Sequence, residues 1–142
     1  LVWQTASPRI FARTGFYQCG GAWGYRDQLQ DAANLALVLP AVTKRQILRA
    51  AASQFIEGDV LHWWHNLPPK GGGKRGVRTR DSDDLLWLVY AVCEYLEKTN
   101  DWALLDTEVS YADGPLLDEE EKVDGLITKT SMTSAMAEQL WG

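Results

Sequence analysis

The sequence predicts an all-α chain made of helical hairpins joined by long polar loops. Three observations lead to that expectation. Apolar and small residues recur at helical spacing in four stretches, 28–39, 44–55, 83–98 and 102–111. No stretch shows clear period-two alternation. The carboxylates, arginines and tryptophans able to do chemistry collect at helix starts and in the loops between them.

The first stretch carries Leu29, Ala32, Ala33, Leu35, Ala36 and Leu39 on one stripe, and Pro40 is expected to end it. Thr43 is placed to cap the second, where Ile47, Leu48, Ala51, Ala52 and Phe55 share a face and Lys44, Arg45 and Arg49 reach water. Gly58 suits a stop. Val60-Leu61-His62-Trp63-Trp64-His65 is short and bulky, open between strand, turn and helix end. Prolines and glycines from 66 to 76 predict a loop. Ser82 caps the third helix, whose Leu85, Leu86, Leu88, Val89, Val92, Tyr95 and Leu96 give a broad apolar surface. Asp101 caps the fourth, broken by Asp113-Gly114-Pro115. The acidic run Asp118 to Glu121 suits a solvated face, and 125–142 suits a weak helix or frayed end. The chain thus divides into a main unit, 1–115, and an acidic linker with a divergent or truncated tail, 116–142.

With 142 residues the chain is long enough for one domain with a sizeable core. It begins with Leu rather than Met, so a fragment of a longer protein is expected. A hydrophobic fraction of 46% with 23% charged residues is that of an ordinary globular protein. The net charge of −5 argues against general nucleic-acid binding, which needs a basic face. No apolar run approaches the roughly 18–20 residues of a bilayer span, and no signal-peptide pattern opens the chain. Cys19 and Cys93 lie far apart, as free thiols of a reducing compartment would. Seven tryptophans stand out. Aromatic faces edged by polar groups suit sugar rings, which expose C–H groups on one face and hydroxyls at the rim.

Four constellations carry candidate chemistry. Ser82-Asp83-Asp84 is either a helix cap with two carboxylates opposing the helix dipole, or the seat of a general acid. Arg26-Asp27 is either a helix-start ion pair or a sugar grip, donating and accepting to hydroxyls, which Gln30 and Asp31 extend. His62 and His65 flank two tryptophans; the spacing completes no tetrahedral ligand set, so packing or substrate contact is expected and no metal. The basic 70–80 segment lacks the spacing of a phosphate loop, yet Lys74, Arg75, Arg78 and Arg80 suit an anion near the aspartates or a solvated loop. Nothing points to nucleophilic catalysis: no GxSxG elbow appears and neither cysteine has an evident histidine partner.

Three pieces together resemble the catalytic domain of glycoside hydrolase family 94, the family of cellobiose and chitobiose phosphorylases and of the phosphorylase-like domain of cyclic β-1,2-glucan synthases. They are Gly24-Tyr25-Arg26-Asp27 with Gln30-Asp31; Glu57-Gly58-Asp59 with His62-Trp63-Trp64-His65; and Gly76-Val77-Arg78-Thr79-Arg80 running into Ser82-Asp83-Asp84-Leu85-Leu86-Trp87-Leu88. Their order and spacing are most similar to the cyclic glucan synthase branch, over about 15–115. The resemblance implies part of an (α/α)6 barrel, a six-hairpin toroid. It implies inverting phosphorolysis or glycosyl transfer on β-glucans, with inorganic phosphate as co-substrate and no cofactor. Asp83 matches the general acid; Arg26 and Asp27 match residues contacting the donor sugar. Gln30, Asp31, Trp64, His65, Arg80, Asp84 and Trp87, in the same pieces, complete the expected substrate-binding set. Two positions differ from the disaccharide phosphorylases: Gly21 stands six residues before Asp27 where they carry Arg, and Asp81 two residues before Asp83 where they tend to carry an aromatic.

The implied partners are a β-glucan oligosaccharide, phosphate and the remaining barrel of the parent chain; a homo-oligomer is allowed. Neither nucleic acid nor direct membrane contact by this segment is implied. The implied location is cytoplasmic, with a parent anchored at the inner membrane. The main phosphate ligands are expected outside this chain, so the isolated piece is expected to be inactive. Two alternatives stand beside this: an inverting hydrolase on the same fold, which needs a second carboxylate to activate water, and a non-catalytic carbohydrate-binding fragment.

Overall fold

The computed structural model describes residues 10–11, 21–67, 73–117 and 122–141. The elements are β1 (Trp23–Gly24), α1 (Tyr25–Asn34), α2 (Pro40–Ala51), β2 (Val60–Asn66), β3 (Lys74–Thr79), α3 (Ser82–Thr99), a 3-10 turn (Trp102–Leu104), β4 (Glu108–Asp113), β5 (Lys122–Ala135) and α4 (Met136–Trp141). The strands form one antiparallel sheet in the order β1-β2-β3-β5-β4. The all-α expectation, and the partial (α/α)6 toroid with it, is therefore overturned: three helices pack together beside a five-stranded sheet.

The strands escaped the period-two test for identifiable reasons. In β2 the pairing runs Leu61 with Arg78, then Trp63 with Val77, so His62 is an extra, bulged residue and the alternation breaks there. β3 reads as a glycine-rich basic loop because its buried members are Gly76, Arg78 and Thr79. Gly76 is required by close approach: a Cβ there would stand 2.4 Å from the Trp63 carbonyl oxygen. β5 pairs β3 with its first half and β4 with its second, bridging two ladders. Lys122–Ala135 is thus part of the sheet rather than a tail. The 102–111 helix is likewise replaced by the 3-10 turn and β4.

The three long helices are found with shifted ends. Pro40 starts α2 instead of ending α1, since its missing N–H costs nothing in a first turn. Thr43 lies inside α2, and its Oγ1 donates to the Ala32 carbonyl, 2.7 Å, tying α2 to α1. Asn100 ends α3 in the left-handed region at φ 54°. Asp101 accepts from Lys44 Nζ and from the Tyr95 hydroxyl, each at 2.7 Å, so it joins α2 to α3.

One core unites helices and sheet: Leu29, Ile47, Phe55, Leu61, Trp64, Leu88, Val92, Leu104, Ile127 and Met136 are all buried. Each large apolar side chain there contributes about 1.5–3 kcal/mol through burial. Through this core runs a charged staple. Buried Arg78 donates Nε and one terminal nitrogen to the two oxygens of buried Asp59, at 2.5 and 2.7 Å. It also donates to Glu57 at 2.8 Å and to the Pro115 carbonyl at 3.0 Å, with its guanidinium 3.9 Å above the Phe55 ring. Arg80, just past the end of β3, donates to the Leu117 carbonyl at 2.7 Å. Two arginines thereby clamp the 115–117 segment.

Arg78→Met leaves the buried Asp59 carboxylate unpaired and is expected to cost about 3–5 kcal/mol of unfolding free energy. Urea unfolding measures it, and adding Asp59→Leu should restore part of the loss; a single variant as stable as the native chain would contradict the staple.

Lys74 gives a second test. Its Nζ donates to the Ser53 hydroxyl at 2.7 Å and lies 4.9 Å from the Trp64 ring centre, with only neutral acceptors. Burial first, then Lys129 and Arg49, bring the ammonium down from 10.5 to about 8. Between those values the unfolded chain holds more protons, so this group's contribution to stability rises as pH climbs through that window. Lys74→Met should flatten the rise in urea titrations across the window; an unaltered rise would exclude Lys74 as its source.

Candidate active site

Two helix mouths meet on one side of the helical layer. α1 begins at Tyr25, directly after the short β1, and carries Arg26 and Asp27 in its first turn. α3 begins at Ser82, directly after β3, and carries Asp83 and Asp84 in its first turn. The Asp81 amide donates to Thr79 Oγ1 at 3.1 Å, fixing the turn from β3 into α3.

Successive helix residues point about 100° apart, and Asp83 and Asp84 take opposite fates. Asp83 faces outward and accepts from the Arg26 guanidinium at 2.6 Å, both side chains about half exposed (51% and 53%). That bond, then the Asp83 charge, holds Arg26 above its ordinary value. Asp84 faces inward. Its side chain is 2% exposed and its Oδ2 lies 2.6 Å from Nδ1 of His62, whose side chain is 38% exposed. Burial pushes the Asp84 carboxyl up; His62 pulls it down; the charges of Asp83 and Asp81 push it up again.

Among the described residues, the Tyr25 hydroxyl, both amide atoms of Gln28 and the Trp64 indole nitrogen are buried with no hydrogen-bond partner. Burial, then the Asp84 charge, raises the Tyr25 hydroxyl far beyond its ordinary range. Unpaired buried polar groups cost about 1–3 kcal/mol each, and such positions call for an explanation in function or bound solvent.

The remaining expected site residues fall in different places. Asp27 folds back against Gly24, its Oδ2 2.9 Å from where a Cβ would sit. Gln30 is exposed and Asp31 half-buried one turn further along α1. Trp87, one turn after Asp83, is half-buried, edge-on to Tyr90 with ring centres 5.4 Å apart. Trp64 is 1% exposed and belongs to the core, so it offers no ring face to a ligand. His65 is half-buried and meets the Trp63 ring edge-on. Arg80 holds the Leu117 carbonyl. The structure therefore gathers Arg26, Asp83 and Asp84 and turns Trp64 to a packing role.

The site also contains two residues outside the expected set, His62 and Asp81. Among the described residues, His62, Asp81 and Asp84 form the one group able to hold a metal ion, each offering a ligand atom within 4.8 Å of the others. An imidazole with two carboxylates suits a hard or borderline divalent cation. The sequence marked His62 for packing or substrate contact; the bulge that aims it at Asp84 appears only with the strand register. The basic 70–80 segment became β3 rather than an anion loop, and residues 70–72 lie outside the described residues. Cys93 is a free, exposed thiol, and Cys19 lies outside the described residues.

The exposed pair is not a stabilising device, because solvent screens such pairs. Arg26→Gln and Asp83→Asn are each expected to change the unfolding free energy by no more than about 1 kcal/mol. A cooperative loss as large as that of Arg78→Met, seen by urea unfolding, would show that the pair holds the fold.

Residues 1–131 match the family described as Glycosyl hydrolase 94 superfamily, catalytic domain. The chain is 48% identical over 119 residues to a cyclic beta-(1,2)-glucan synthase of Rhizobium meliloti (strain 1021), covering 84% of this chain and 4% of that protein. It is 33% identical over 90 residues to a solabiose phosphorylase of Paenibacillus borealis, covering 63% of this chain and 10% of that one. It is 28% identical over 121 residues to an N,N'-diacetylchitobiose phosphorylase of Vibrio proteolyticus, covering 70% and 15%. The chain thus spans a small fraction of the length of these relatives. No helix among its described residues is long and apolar enough to cross a membrane.

Proposed function

The chain belongs to the glycosyl hydrolase 94 superfamily, as part of its catalytic domain, and from that membership we propose that it supplies the acid side of an enzyme that cleaves β-glucosidic bonds in β-glucans by phosphorolysis. The observation that carries this is the Arg26–Asp83 contact at 2.6 Å. It brings the sugar-gripping mouth of α1 and the carboxylate mouth of α3 to one exposed place.

The chemistry follows from what each group can give. Asp83 donates its proton to the glycosidic oxygen as the bond to the anomeric carbon breaks, and it is left as carboxylate. An oxygen of inorganic phosphate forms the new bond to that carbon from the opposite face, inverting it. Phosphate is already a nucleophile, so no carboxylate base is required, unlike inverting hydrolysis. Arg26 connects binding to the acid. Sugar hydroxyls arriving at its guanidinium compete with Asp83 for the same N–H groups. Losing that ion pair frees the Asp83 carboxyl to turn to the glycosidic oxygen. Binding thereby arms the acid. The names of the relatives, a glucan synthase and disaccharide phosphorylases, support glycosyl transfer to or from phosphate or another sugar.

The test uses a full-length protein carrying this chain, with β-1,2-glucan and phosphate. Release of glucose 1-phosphate that depends on phosphate is expected. Asp83→Asn should lower turnover about 10²–10⁴-fold, the usual size of a general-acid contribution, while glucan binding persists. Turnover unchanged in the variant would remove Asp83 as the acid; activity indifferent to phosphate would instead favour hydrolysis.

A further inference from the structure

We propose that Asp84 and His62 form a positioning pair in which the buried carboxylate holds the Nδ1–H of His62, leaving Nε2 as a bare acceptor turned toward sugar hydroxyls at the helix mouths. The inference rests on the sugar-processing function proposed above and assigns His62, for which the sequence left packing and substrate contact open, a defined contact in it.

Three observations converge on it. The first is the register of the sheet. His62 is the single extra residue between Leu61 and Trp63, and a bulge re-aims a side chain that regular pleating would send elsewhere. The second is the division of the ring between two environments. Nδ1 meets an oxygen of nearly buried Asp84 at 2.6 Å, while more than a third of the imidazole side chain remains exposed. The two nitrogens flank one ring carbon and bond in widely divergent directions, so binding one to the interior turns the other outward. The third is cost. Asp84 sits in a polar layer with the unpaired Tyr25 hydroxyl, and Asp81 and Asp83 add like charge. Breaking such an arrangement for an apolar one would be neutral or favourable for folding alone, so the layer is not explained by stability.

The tautomer follows from the partner. A carboxylate accepts only, so a neutral imidazole facing it carries its proton on Nδ1. Nε2 is then an acceptor, complementary to Arg26, which only donates. A sugar hydroxyl both donates and accepts. One donor group and one acceptor group at the two mouths can therefore engage a diol, each serving a different hydroxyl.

Two measurements test this. Long-range nitrogen–carbon-proton correlation spectra of the chain, which has two histidines, distinguish them after comparison with His65→Gln. Neutral His62 is expected with the proton on Nδ1; a proton on Nε2 overturns the pair. The second measurement is β-1,2-glucan affinity in a full-length protein carrying the chain, with His62→Asn and His62→Gln. Asn places its amide where Nδ1 lies and keeps only the Asp84 contact; Gln reaches to where Nε2 lies. Dissociation constants are expected to rise about tenfold in Asn, the value of one hydrogen bond, and clearly less in Gln. The reverse order would make His62 a purely structural partner of Asp84. Equal thermal midpoints for the two variants show that the ranking is not a folding effect; if the midpoints differ, the wild-type spectrum decides. A full-length protein that binds no β-glucan would overturn the functional premise and this contact with it, whereas the Nδ1–H assignment stands or falls on the spectrum alone.

Discussion

The buried Arg78–Asp59 pair is the constraint on which the rest of this structure depends. An arginine cannot shed its charge inside a protein, so its burial fixes its surroundings. Asp59 must be present, the 57–59 turn must close over β3, and the 115–117 segment must run alongside to give up its Pro115 carbonyl. These bonds join three stretches far apart in sequence. They also set the register of β2 against β3, since Asp59 directly precedes β2 and Arg78 pairs with Leu61. With that end of the hairpin pinned and Gly76 pinned against Trp63 and Trp64 at the other, the extra residue of β2 has one place to go. It is His62. A stabilising ion pair in the sheet thus determines where an imidazole emerges beside α3.

That coupling explains how two adjacent aspartates acquire different roles. The helical turn sends one outward and one inward, which any Asp-Asp pair at a helix start would do. Their identity comes from what meets them. Arg26 meets the outer carboxylate from α1, and the bulged His62 meets the inner one from β2. The difference is built by the junction of helix and sheet, so the site cannot be assembled from helices alone.

Much of the helical layer was legible in the sequence, and so were the placing of Arg26 and Asp83 in the first turns of α1 and α3 and the family. The apolar stripes of α1, α2 and α3 follow the 3.6-residue period because each helix buries one face. The sheet was not legible, and the reasons are specific. Buried Arg78 looks like a solvated charge until Asp59 and Glu57 are seen around it. The tandem Val60 and Leu61 followed by a bulge defeat alternation. β5 is exposed along most of its side chains, so Lys122–Ala135 reads as polar and featureless. Trp64 illustrates the converse. Its residue type suggested a sugar platform, yet Gly76 allows β3 to press close and Lys74 covers its face, so the ring serves the core.

The point at which this chain departs from the disaccharide phosphorylases bears on the same machinery. Asp81 stands where, by the resemblance read from the sequence, the disaccharide phosphorylases tend to carry an aromatic, and in this structure it faces His62 and Asp84 closely enough for all three to offer ligand atoms within 4.8 Å of one another. Its charge opposes ionisation of Asp84, as does that of Asp83, and burial opposes it more strongly than either. Among the forces on Asp84, His62 is the one that favours the carboxylate form. An aromatic at 81 would remove one repulsion and supply an apolar wall; an aspartate removes the wall and raises the demand on the imidazole. The substitution therefore exchanges a surface on which a sugar ring can stack for a more hydrophilic mouth that depends on a histidine for its charge balance. Such a mouth suits a ligand held by its hydroxyls rather than by its ring faces.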